Sequence, residues 1–193
     1  MITIVPYNPA WAVEFAEIAA SLRTALCNLA LRIDHIGSTS VPGLDAKDII
    51  DIQLSLRSRE DFQPIQAALE SLGYSLRPGI TSDHQPPGFD GPASEWEKRY
   101  FAPPPDQRPT NLHVRVEGRL NQRYALLFRD YLRAHPPTAA AYASLKRALA
   151  FYHGGSDDHT PYVEIKDPVC DLIMAAAYEW AERSGWRPGP TDA

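Results

Sequence analysis

The sequence predicts an α+β domain in which a mixed β-sheet packs against helices and the C-terminal third is helical. Three observations carry that class. The element order reads helix, two strands around a small-residue loop, helix, further strands, then helices. The length of 193 residues suits one domain, taken as 1–193 with residues 154–193 as a C-terminal loop and helix packed on it. Hydrophobic residues make up 44% and charged ones 22%, so a core can form without disulfides or structural metal.

Asn8-Pro9 opens the first helix, because Asn caps free N–H groups and Pro fits the first turn. Trp11, Phe15, Ile18, Leu22, Leu26 and Leu29 then recur at helical spacing. "LRIDHIG" reads as a strand stopped by Gly37. "DIIDIQLSL" is a second strand with Ile50, Ile52, Leu54 and Leu56 on one face and Asp51 and Gln53 on the other. Ser58 and Asp61 form a near capping box for a helix whose stripe is Phe62, Ile65, Leu69 and Leu72, ended by Gly73. "YSLRP" is a short strand, and the Pro- and Gly-rich stretch 78–94 is a loop. "WEKRYFA" and "TNLHVRVEG" are further strands. The next helix carries Tyr124, Leu127, Phe128, Tyr131 and Leu132 and ends at Pro136-Pro137. Another carries Tyr142, Leu145, Leu149 and Tyr152. After a polar loop at 154–161, Asp167-Pro168 opens the last helix, with Val169, Leu172, Ile173, Ala176 and Trp180 as its stripe.

The formal net charge of −5 disfavours a partner as anionic as duplex nucleic acid, while leaving a local basic pocket open. Cys27 and Cys170 lack metal-ligand spacing and read as buried free thiols in a reducing compartment. The N-terminal residues show no signal-peptide pattern, and no stretch has the roughly 20 apolar residues of a membrane span. A cytoplasmic protein without membrane contact is expected.

The chemistry concentrates in "HIGSTSVPGLDAKDIIDI". Gly37 lets backbone approach a ligand, and consecutive N–H groups in such a turn cradle an anion. Ser38, Thr39 and Ser40 offer hydroxyls, and Lys47 is a point charge suited to phosphate. Asp51 on the next strand is placed to hold a divalent metal bridging phosphate oxygens. A plain connecting loop is the competing reading of the same residues.

Together with "IVPYNPAW", "KRYF", "NLHV", "LFRDYLRAHP" and "YASLKRALA", this block resembles the GrpB family of uncharacterised proteins over residues 3 to about 152. That family resembles the nucleotidyltransferase fold, in which a Gly-Ser turn precedes a strand bearing two acids one residue apart. The resemblance implies that Gly37 and Ser38 form the turn and that Asp51 is the first acid. The second acid position is Gln53, a neutral oxygen ligand, which weakens a two-metal site. His113 on "NLHVRVEG" is the candidate third metal ligand or acid/base group, with Arg115 and Glu117 on its face. Asn111 stands where the family pattern has its first His. Arg99 and Arg108 match family positions and are candidate phosphate or carboxylate clamps, or surface charges. The implied cofactor is Mg²⁺ or Mn²⁺. Some relatives are joined to dephospho-CoA kinase, but this chain has no G-x-x-x-x-G-K-[ST] loop, so kinase activity is not carried over.

His35 either orients the Gly-Ser turn or packs in the core. Arg129 either reaches a cleft or pairs near Asp130, and Lys146 reads as a solvated charge. Asp157, Asp158 and His159 read as a polar turn rather than a metal cluster. Two functions follow. One is an enzyme moving a nucleotidyl or phosphoryl group from a nucleotide to a small-molecule acceptor. The other is a non-catalytic phosphate- or nucleotide-binding or accessory module with a degenerate metal site.

Overall fold

The computed structural model describes residues 1–155 and 160–193. Five strands form one mixed sheet: β1 (Arg32–Ile36), β2 (Ile50–Leu56), β3 (Ser75–Leu76), β4 (Arg99–Ala102) and β5 (Thr110–Val116). Their order is β1-β2-β5-β4-β3, with β2 and β5 parallel and the other pairs antiparallel. β2 and β5 alternate strictly, so one sheet face is apolar and the other carries chemistry. On the apolar face, Ile50, Ile52, Leu54 and Leu56 join Leu112 and Val114 in a fully buried layer. Two helices cover it, α1 (Ala10–Leu26) with Trp11, Phe15 and Leu22, and α2 (Phe62–Ser71) with Phe62, Ile65 and Leu69. Ser58 and Asp61 do form the capping box ahead of α2.

Three helices follow: α3 (Leu120–Ala134), α4 (Pro136–His153) and α5 (Thr160–Ser184). They share a second core built on Leu127, Tyr131, Tyr142, Ile173 and Met174. Residues 186–193 run back to β1, where Thr191 Oγ1 accepts from Ile33 N–H and Asp192 from His35 N–H.

Several boundaries differ from expectation. α1 stops at Leu26, and Cys27 adopts φ 49° in a short 3-10 turn that carries the chain to β1. Cys27 is exposed rather than a buried thiol. Asp167-Pro168 does not open the last helix, because α5 already begins at Thr160 and Pro168 lies inside it. Burial of Tyr162 against Ile2 and Leu149 holds the preceding turns helical despite the proline. The register along α5 shifts accordingly: Ile173, Met174 and Ala177 are buried, while Leu172 and Ala176 face solvent. In α4 the buried stripe is Ala139, Tyr142, Lys146 and Leu149, and Tyr152 is exposed. The expected polar turn at Asp157, Asp158 and His159 lies outside the described residues.

Candidate functional site

The polar sheet face and the α3–α5 layer enclose a cavity of about 500 Å³. Its floor follows from strand pairing. Asp51 pairs with Ile36 on one side and Asn111 on the other; His113 pairs with Gln53 and Tyr100. Directly after β1, Gly37 takes φ 68°, and a Cβ there would overlap the Asp51 carboxylate, so only glycine lets the turn close over Asp51.

Within the turn, the three hydroxyls have separate fates. Ser38 lines the cavity and accepts from Lys146 Nζ at 2.8 Å. Thr39 Oγ1 lies 3.0 Å from His35 Nε2, and Ser40 Oγ donates to the Gly37 carbonyl at 2.6 Å. His35 does both things expected of it: it braces the turn through Thr39 and stacks on Phe15 at 4.6 Å in the core. Burial, reinforced by Arg133 and Arg129, lowers its pKa to about 3, so it is neutral.

Asp51 accepts from Asn111 Nδ2 at 2.7 Å, and Asn111 in turn accepts from the Tyr100 hydroxyl. Burial raises the Asp51 pKa, opposed by the Asn111 hydrogen bond and by Lys166, Lys146 and Lys47. His113 Nε2 lies 4.0 Å from Asp51. Its Nδ1 faces Lys98 Nζ at 3.5 Å and Arg115 Nη2 at 3.3 Å, so Nδ1 is the acceptor and Nε2 carries the proton. Burial first, then Arg115 and Lys98, push its pKa well down, leaving a neutral ring.

Gln53 is committed to hydrogen bonds. Its Oε1 accepts from Arg115 Nη1 at 2.6 Å and its Nε2 donates to the Gln122 carbonyl at 3.3 Å, fully buried. Arg115 also binds Asp83, with Nε–Oδ2 at 2.8 Å. Asp83 arrives from the loop between β3 and β4 and is further held by Lys98 at 2.6 Å and Asn121 at 3.0 Å. Burial alone would raise the Asp83 pKa, but Arg115 and Lys98 hold it far below the carboxylate range.

Two clamps leave the site. Arg99 shares a face with Phe101, not Tyr100; its guanidinium lies 4.6 Å over Phe62 on the α2 side of the sheet. Arg108 pairs with Glu14 at 2.9 Å and with Asp48, tying β5's entry to α1. Arg129 is buried, donating to the His35 carbonyl at 3.0 Å and to Asp192 at 2.7 Å, and is a structural tie.

The cations facing the cavity come from elsewhere. Lys47 lines the cavity, with Nζ 4.4 Å over the Tyr162 ring. Lys146 is not a solvated charge: it is buried, and Nζ also donates to the Asp45 carbonyl at 2.6 Å. Burial lowers its pKa to about 7 against the pull of Asp45 and Asp51. Lys166 on α5 pairs with Asp167 at 2.6 Å. Sequence reasoning missed Lys98, Lys146, Lys166 and Asp83. The signal for Lys146 was its four-residue spacing from Tyr142, within the apolar stripe.

A divalent metal was expected at Asp51, Gln53 and His113, but these residues do not fit one. Gln53 is engaged by Arg115, His113 turns a protonated nitrogen toward Asp51, and Asp51 is the one carboxylate left at that point. Among the described residues, no group of three or more His, Cys, Asp or Glu is arranged to hold a metal ion.

The fold is a mixed sheet flanked by helices, with a Gly-Ser turn closing on a strand aspartate. The solved structure of Cid1 in complex with its short product ApU matches it with a TM-score of 0.51 at 12% identity, over 82% of this chain and 45% of that one. The chain belongs to the GrpB family, whose description, GrpB protein, matches residues 1–176. The crystal structure of conserved protein GrpB from Enterococcus faecalis matches with a TM-score of 0.71 at 29% identity, over 91% of this chain and 99% of that one. A dephospho-CoA kinase of Mycolicibacterium paratuberculosis is 36% identical over 199 residues, covering 97% of this chain and 48% of the relative. The chain thus spans about half the length of the dephospho-CoA kinase relatives it matches. Among the described residues, no helix is long and apolar enough to cross a membrane.

Proposed function

We propose that the cavity binds a phosphorylated small molecule of the nucleotide class, with the phosphate at the Ser38 turn between Lys47 and Lys146. One observation carries this reading: Lys146 is a buried ammonium aimed at a hydroxyl of the Gly-Ser turn, 2.8 Å from Ser38 Oγ, inside a cavity open to a ligand. A buried cation is costly by itself, and the cost is offset when an anion arrives. Trp96, Tyr124 and Phe128 on the same cavity supply flat apolar surface for a base.

Group transfer to a small acceptor is the second reading, favoured by Asp51. Its carboxylate, about a quarter exposed, sits beside the turn with a pKa raised by burial. That is the placement and tuning of a base that takes a proton from an acceptor hydroxyl. The name dephospho-CoA kinase belongs to relatives about twice as long, and an accessory role beside such a partner is compatible with binding alone.

The test is a thermal-shift panel of nucleoside mono-, di- and triphosphates and dephospho-CoA. At least one should raise the midpoint of the wild type by several degrees and fail to do so in Ser38→Ala/Lys146→Met. A flat response across the panel overturns the binding reading. Product release from a bound nucleotide, lost in Asp51→Asn, would select transfer over binding alone.

A further inference from the structure

We propose that this cavity takes its ligand as a metal-free phosphate monoester dianion, with Lys47, Lys146 and Lys166 supplying the countercharge a divalent ion supplies in two-carboxylate sites. The inference rests on the phosphate-binding reading above and adds the charge state of the ligand and the absence of a bridging metal.

The first support is the donor set. A divalent ion bridging phosphate oxygens needs several anionic or neutral oxygens directed at one point. Gln53 Oε1 is spent on Arg115, 2.6 Å away, and Asp51 Oδ1 already accepts from Asn111 at 2.7 Å. His113 turns its acceptor nitrogen toward Lys98 and Arg115, not toward Asp51.

The second support is the field. Lys47, Lys146 and Lys166 all act on Asp51. An ion placed beside Asp51 would therefore meet three ammonium groups, whereas a phosphate placed there would be attracted by all three. Lys47 and Lys146 reach the cavity from the β1–β2 connection and α4, and Lys166 from α5, so the three converge from separate elements.

The third support is the charge balance. Among the described residues lining the cavity, five are Lys or Arg (Lys47, Lys98, Arg115, Lys146, Lys166) and three are Asp (Asp51, Asp83, Asp167). Counting Lys and Arg as positive and Asp as negative, the formal excess is two positive charges, which a monoester dianion matches. A bare triphosphate, with about four negative charges, would overfill it. The parallel rings of Tyr124 and Phe128, 6.3 Å apart, offer a flat surface to the ester's organic group.

Calorimetric titration of the wild-type chain with AMP, GMP, CMP, UMP, inorganic phosphate and ATP, each in EDTA and in excess Mg²⁺, tests this. At least one monophosphate should bind with a Kd unchanged within about twofold between the two buffers, and more tightly than ATP in EDTA. Asp51→Asn removes a negative charge from beside the ligand and should tighten that monophosphate about three- to tenfold. A metal site predicts the opposite sign. Lys146→Met should weaken binding at least about tenfold, with partial recovery in Lys146→Arg. Binding that requires Mg²⁺ and is lost in Asp51→Asn overturns the metal-free proposal while leaving a phosphate site. Tighter binding of ATP than of any monophosphate in EDTA overturns the monoester assignment. No heat with any probe in either buffer overturns the binding reading and this inference together. If Lys146→Met fails to fold, the sign of the Asp51→Asn effect still decides.

Discussion

Lys146 shows how one residue can carry an energetic conflict. It is 3% exposed, its ammonium donates to Ser38 Oγ and the Asp45 carbonyl, and the charges of Asp51 and Lys166 act on it from farther off. Burial lowers its pKa from 10.5 to about 7. Between those values the unfolded chain holds a proton that the folded one has released, so this residue makes stability rise with pH from about 7 toward 10.5. Below 7 the full cost of the buried charge is present. The difference in unfolding free energy between wild type and Lys146→Met should therefore shift by on the order of a few kcal/mol between pH 7 and 9.5. Urea denaturation at both pH values measures it; a variant whose stability climbs as steeply as the wild type's would rule the conflict out. On the proposed phosphate site, the same depressed pKa predicts that calorimetric affinity for phosphate weakens as pH rises above about 7, as Lys146 loses its charge.

At the scale of elements, the β2–β5 pair decides what the site can hold. Parallel pairing sets Gln53 against His113 and Ser55 against Arg115, and Arg115 leans back to Gln53 and out to Asp83. The position where a second strand carboxylate would stand is thereby committed to a buried polar network that fixes the β3–β4 loop over the cavity. Gln53→Glu should convert the Gln53–Arg115 hydrogen bond into an ion pair and gain no Mg²⁺-dependent thermal shift with nucleotides. A Mg²⁺-dependent shift appearing in that variant would show instead that the strand face accepts a metal once the carboxylate is restored.

For the whole molecule, the C-terminal residues close an edge. β1 is a terminal strand of the sheet, and its outward N–H groups at Ile33 and His35 are taken by Thr191 and Asp192. Asp192 also binds Arg129 on α3, linking the edge to the helical layer. Removing residues 189–193 should expose a pairing-competent edge and leave Arg129 buried without one carboxylate. The expected outcome is a thermal midpoint lowered by several degrees and concentration-dependent oligomers by light scattering. A truncated chain that remains as stable and as small as the full one would refute this role.

What the sequence determined by itself is local and periodic. Alternation along "DIIDIQLSL" was enough to put Asp51 and Gln53 on the face opposite the core. Helical stripes placed α1 and α2, and the glycine before three hydroxyls marked a turn. These features depend on neighbours within a few residues, where sterics and burial act directly. Tertiary structure alone decided how the polar groups are spent. Arg99 fell on the far face because β4 pairs with β5 in the register that aligns Tyr100 with His113. Lys166 reached the cavity because burial of Tyr162 carried the last helix back through Pro168. Gln53 became a partner of Arg115, and Lys146 became part of the Ser38 turn's surroundings. A strand's period fixes the face of a side chain, but the partner of a long charged side chain is set by elements that can lie more than a hundred residues away, where desolvation and charge pairing choose among many local possibilities.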